Sequence, residues 1–199
     1  MTAVLLSAAC AGCEWSGFGF RADGPEMPRL RKVLALKAGK VVADVGAGKG
    51  QLTLALAREV GASGRVFATE IDAARVKQLH AAAADAGLDN VTVVEARSDE
   101  TGLPADCCDA IVLRRVYHHL SDPARINAGL LRALRPGGVL AVIDLPPPFF
   151  WVRGTLGVPV KAVVAEVAAS GFEPLAVIDD WPGRGPLASF CVLFRKPRV

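Results

Sequence analysis

Apolar residues in this chain alternate between two arrangements. Short unbroken runs are followed by stretches in which apolar positions recur every three or four residues. The runs at 41–45, 65–72, 91–95, 109–113 and 139–144 read as strands buried on both faces. The stretches at 27–36, 49–60, 73–86, 122–134 and 159–169 read as helices. Ile126, Leu130 and Leu134 share one helical face, as do Val160, Val163, Val164 and Val167. Gly171 stands at the usual helix stop. Two closing strands, 175–179 and 189–195, are joined only by the turn that begins at Trp181, so they should pair antiparallel. The pattern predicts an α/β fold: one Rossmann-like, doubly wound sheet of seven strands, mostly parallel, with the last strand reversed. At 199 residues and 52% apolar, the chain can bury one substantial core. We divide it into an N-terminal segment, 1–24, and a single domain, 25–199.

The first strand breaks into glycines at every second position: Asp44-Val45-Gly46-Ala47-Gly48-Lys49-Gly50. Strand, glycine turn and helix form the local layout of a nucleotide-type pocket. Glycine lets backbone turn tightly and approach a ligand, and the following helix offers free N–H groups. The spacing discriminates between ligands. A dinucleotide loop is usually Gly-x-Gly-x-x-Gly, with the diphosphate at the helix end. Here a carboxylate precedes a Gly-x-Gly-x-Gly loop, which suits a ligand carrying an ammonium group and repels a diphosphate. A nicotinamide oxidoreductase is therefore disfavoured.

The loop resembles the first motif of class I S-adenosylmethionine (SAM)-dependent methyltransferases, and three further segments extend the resemblance. Glu70 closes the second strand about twenty residues on. Ser98-Asp99-Glu100-Thr101-Gly102-Leu103-Pro104 is similar to the family's Gly-Asp-Ala-x-x-Leu-Pro, with serine for glycine. Tyr117-His118-His119-Leu120-Ser121-Asp122-Pro123 and Leu134-Arg135-Pro136-Gly137-Gly138 match runs of small bacterial members. The resemblance implies that SAM is the cofactor and S-adenosylhomocysteine (SAH) the product. It implies a cofactor site of Asp44, Gly46, Ala47, Gly48, Gly50, Glu70, Ile71, Ser98, Asp99 and Arg114. Glu70 would hold the ribose hydroxyls and Asp99 the adenine amino group. The methionine carboxylate would meet the N–H groups opening the helix at Lys49.

A small-molecule acceptor should enter above strands four and five, where Tyr117, His118 and His119 lie. An oxygen acceptor needs a general base, and histidine has a suitable proton affinity; His118 is the favoured candidate. Phe149, Phe150 and Trp151, after Pro146-Pro147-Pro148, would form a lid for an apolar or aromatic acceptor, a partner- or membrane-facing patch, or a plain core contact. Methyl transfer from sulfonium requires no metal. The alternative is a non-catalytic SAM- or SAH-binding module acting through a partner.

The net charge of +3 is spread without a basic stripe, which argues against nucleic acid. No run is long enough for a membrane span. The five cysteines, an odd number, favour a reducing cytoplasm. Cys10 and Cys13 are half of a zinc pattern without a second pair. The segment Met1 to Cys13 faintly resembles a lipoprotein signal, but lacks its positive start. A packed extension is the preferred reading.

Overall fold

The computed structural model describes residues 20–147, 157–182 and 189–198. Seven strands form one sheet: β1 (Val41–Val45), β2 (Arg65–Glu70), β3 (Val91–Glu95), β4 (Cys108–Arg114), β5 (Leu134–Asp144), β6 (Glu173–Trp181) and β7 (Ser189–Arg195). Their order is β3-β2-β1-β4-β5-β7-β6. The first five are parallel, and β7 runs antiparallel to both β5 and β6. The reversal has the predicted cause, since a short connection can only join antiparallel neighbours.

The helices are α1 (Glu26–Val33), α2 (Gln51–Val60), α3 (Ala73–Asp85), α4 (Pro123–Ala133) and α5 (Val160–Ala169). Strand residues alternate between two cores. Val42, Ala110, Val112, Ala141 and Ile143 pack with residues of α1 and α2 on one face. Ala43, Val45, Ile111, Leu113, Leu140 and Val142 pack with α4 and α5 on the other. Both faces are covered, which is why the strands carry little polar alternation.

Several boundaries differ from the sequence expectation, β6 (Glu173–Trp181) being longer than 175–179, and three of the differences have a local cause. Helix α1 stops at Val33 because Ala35 adopts a left-handed φ of 48°. Helix α2 starts at Gln51, because Gly50 precedes it at φ 81°. Lys49 therefore belongs to the loop. Strand β5 begins at Leu134, ahead of the glycine pair, because Leu134 already pairs with Cys108 across a register shift. Asp72 and Asp122 cap α3 and α4 by accepting from backbone N–H groups of the first turn.

The expected lid, Phe149 to Trp151, lies outside the described residues, as do Cys10 and Cys13. Among the described residues no helix is long and apolar enough to cross a membrane.

Candidate functional site

Parallel strands β1, β2, β4 and β5 all end at one edge of the sheet, and nearly all of the candidate residues follow those ends. At β1 the chain must turn between strand and helix in five residues. Gly46 does so at φ 73°, where Gly46 and Ala47 both donate to the Thr69 carbonyl, at 3.0 and 2.9 Å. A Cβ on Gly46 would lie 2.5 Å from Val116. Gly48 differs: it sits at φ 56° with open space where its Cβ would project. That opening is the surface a ligand can approach.

Asp44 is the charged residue of an otherwise apolar strand. Its carboxylate is 2% exposed and accepts 2.7 Å from the Thr53 hydroxyl on α2. Burial pushes its pKa up to about 6, against the opposing pull of Thr53 and of the nearby Arg114 charge. A carboxylate held in this way is under-compensated, and a cation arriving over Gly48 would relieve it.

Glu70, also buried, is fixed by three backbone donors. Gly48 N–H reaches Oε2 at 2.9 Å, and Ile71 and Asp72 N–H reach Oε1 at 2.8 and 3.1 Å. These bonds tie the glycine loop to the end of β2. Oε1 already takes two donors and Oε2 one, so acceptor capacity for a hydroxyl remains on Oε2. Beside it Ile71 is 63% exposed, a large apolar side chain left on the rim. Ser98 and Asp99 form the tip of a turn closed by Arg97 and Glu100 beyond β3. Arg125 of α4 engages the Asp99 carboxylate at 3.1 Å.

Arg114 lines the cleft with Asp44, Gly46, Ala47 and Gly48. Its guanidinium is held by Glu26 of α1, at 2.9 and 3.0 Å from Nε and 2.9 Å from Nη2. Glu26 also accepts 2.9 Å from the Trp181 indole, and Phe20 lies under the guanidinium at 5.5 Å. Sequence reading placed Trp181 in a turn and gave Glu26 no role. Partners 88 and 155 positions apart meet only in the folded chain.

The Tyr-His-His run forms a 3₁₀ turn after β4, entered through Arg115 at a left-handed φ of 59°. Its three side chains part company. Tyr117 is fully buried; it accepts from the Asn127 amide at 2.9 Å and donates to Glu166 at 3.1 Å. Its hydroxyl links α4 to α5 inside the core.

His118 turns towards β5. Nδ1 lies 2.8 Å from Asp144 Oδ1, and the His118 N–H donates to Oδ2 at 3.1 Å. Leu145 N–H adds a third donor to Asp144 at 2.8 Å. With Nδ1 facing the Asp144 carboxylate, Nε2 is the ring nitrogen left for another partner. Asp144 is fully buried, and sequence reading assigned it only as a strand end. The signal was an acid closing an apolar run, the same signal that marks Asp44. The His119 ring lies against His118, centroids 3.9 Å apart and planes tilted by 41°. Loss of water, then the His118 charge, lower its pKa.

The loop, the under-compensated Asp44, the remaining acceptor site on Glu70 Oε2 and the open space at Gly48 fit the ammonium and ribose of SAM. Among the described residues no group of three or more His, Cys, Asp or Glu side chains could hold a metal.

Residues 43–142 match the methyltransferase domain family. Over 114 residues the chain is 31% identical to the ubiquinone/menaquinone biosynthesis C-methyltransferase of Marinomonas sp. (strain MWYL1), covering 57% of this chain and 45% of that one. The chain thus spans about half the length of the curated relatives it matches. A SAM-dependent methyltransferase from Aquifex aeolicus superposes with a TM-score of 0.74 at 24% identity, over 89% of this chain and 99% of that one. Geranyl diphosphate C-methyltransferase from Streptomyces coelicolor A3(2), solved with SAH, superposes with a TM-score of 0.72 at 15% identity, over 85% and 78%. Family match and fold coincide: the chain belongs to the methyltransferase domain family.

Proposed function

We propose that this chain transfers the methyl group of SAM to a small apolar or aromatic acceptor, with His118 as general base. Bound SAM supplies a methyl group already activated by a cationic sulfur. The protein's own residues supply binding, alignment and proton removal. Asp44 neutralises the ammonium, and Glu70 Oε2 takes a ribose hydroxyl. Ile71 covers the ring system from the rim. Ser98 and Asp99 are proposed for the adenine edge, with Asp99 giving up Arg125 to reach it. Arg114 is proposed for the methionine carboxylate, held in place by Glu26.

His118 Nε2 then accepts the acceptor's proton, while Asp144 keeps the tautomer fixed and stabilises the imidazolium that forms. This arrangement has the same logic as a nucleophile's base and its orienting acid. His119 is proposed as a neutral neighbour that packs His118 in place. The apolar acceptor class is supported by the names of relatives, a ubiquinone/menaquinone biosynthesis C-methyltransferase and a geranyl diphosphate C-methyltransferase. A cytoplasmic location is supported by the free thiols of Cys107, Cys108 and Cys191.

The observation that carries the reading is the buried Asp44 carboxylate beside the open face of Gly48. Calorimetric titration with SAH and with NAD tests it: SAH should bind and NAD should not. Retention of NAD with no SAH binding would end the proposal. Cofactor consumption across a panel of phenols and hydroquinones then separates turnover from the non-catalytic alternative.

A further inference from the structure

A pair of side chains with reactive chemistry lies at the opposite end of β4 from Arg114. Cys107 and Cys108 are adjacent, and in extended backbone adjacent side chains point to opposite faces. Here their sulfurs are 2.8 Å apart. The preceding turn explains the convergence. Asp106 adopts φ 47°, a conformation that few non-glycine residues take. Three contacts hold it there: its N–H donates to the Arg132 carbonyl at 2.9 Å, Arg135 donates to its carbonyl at 3.3 Å, and Lys196 pairs with its carboxylate at 2.7 Å. Cys107 thus stays outside the ladder that Cys108 begins, and β4 carries a register shift directly afterwards.

The two thiols differ in access. Cys107 is half-buried, whereas Cys108 is sealed in the core. The hydrogen bond with Cys108 lowers the pKa of Cys107, with the Arg135 charge assisting; the same bond, together with burial, raises that of Cys108. Cys107 is therefore the thiol that reacts first, with Cys108 directly behind it.

Two chemistries could join the sulfurs. A disulfide between neighbours must span Cα atoms about 3.8 Å apart, below the usual lower limit of about 4.4 Å, so it is strained and readily reduced. A soft centre that accepts two sulfurs avoids that strain, because no S–S bond is formed. We propose that Cys107 and Cys108 form a vicinal dithiol site for a trivalent arsenical. In the reaction two As–O bonds of the hydrated arsenical break and two As–S bonds form. The two thiol protons leave with the oxygens as water, and no oxidation state changes. The site is separate from the cofactor cleft and independent of the acceptor's identity.

The test uses the full chain with Cys10→Ser and Cys13→Ser, which removes the other closely spaced pair. Phenylarsine oxide is the probe, read by intact mass and thiol titration. One phenylarsenic group per chain should bind with loss of two titratable thiols. It should survive excess 2-mercaptoethanol and be released by 2,3-dimercaptopropanol, because only a dithiol competes with chelation. Cys107→Ser in this background, with native circular dichroism and SAH binding, should lose all arsenical under the monothiol wash. Absence of binding in the parent, or equal retention by the folded Cys107→Ser variant, would overturn the assignment.

Discussion

Replacing Asp44 by Asn separates the cost of this site from its use. The substitution keeps size and shape, and the amide oxygen can still accept from Thr53. In the ligand-free fold the carboxyl is raised from 3.8 to about 6 by burial. Below the unfolded value both states hold the proton and Asp44 costs nothing. Between the two values the unfolded chain releases its proton while the fold keeps it, so stability falls as pH rises. Above about 6 the penalty is complete. At about 1.4 kcal/mol per pKa unit it amounts to about 3 kcal/mol. The Asn variant should therefore be more stable than the parent at pH 7.5, by roughly 2–4 °C in Tm per kcal/mol for a chain of this size. At pH 4 the difference should vanish. SAH affinity should move the other way. The variant should lose at least about tenfold, and the parent should weaken about tenfold per pH unit below 6. Scanning calorimetry of both proteins across pH 4–8, with SAH titrations alongside, reads each effect. A variant that is no more stable at pH 7.5 and binds SAH like the parent would refute the reasoning.

Other consequences follow from the same geometry. His118→Ala should lower methyl-transfer kcat by about 10²- to 10⁴-fold with SAH affinity unchanged; Asp144→Asn should lower it through the wrong tautomer, and steady-state assays with any turned-over acceptor measure both. Gly46→Ala meets Val116 at 2.5 Å while held at φ 73°, so it should cost about 1–3 kcal/mol in urea unfolding and abolish SAH binding. Glu26→Ala leaves Arg114 buried without its partner and frees the Trp181 indole. It should cost about 3 kcal/mol in denaturant midpoint and blue-shift or red-shift Trp181 emission measurably, with Trp181→Phe as the spectral control. An unchanged midpoint would show that Arg114 finds another acceptor.

Much of this molecule can be read along the chain because its determinants are local. The glycine loop needs positive φ within five residues, and only glycine meets that at no steric cost. Both acids proposed for the cofactor, Asp44 and Glu70, lie at the ends of apolar runs and stand out against them. Strand pattern and the short final connection establish the sheet, including its reversed strand, because period and reach depend only on nearby residues. Sequence alone did not reveal what the side chains do once distant segments meet. Tyr117 and His118 are adjacent in a motif, yet one is spent bracing helices and the other joins Asp144, 26 positions away. Glu26, Arg114 and Trp181 come from three elements with no shared pattern. Thiol convergence at Cys107 depends on an Asp106 conformation that propensity would not choose. Partner choice for buried polar groups is a three-dimensional problem, since desolvation leaves each of them to be satisfied by whatever the tertiary fold brings within reach.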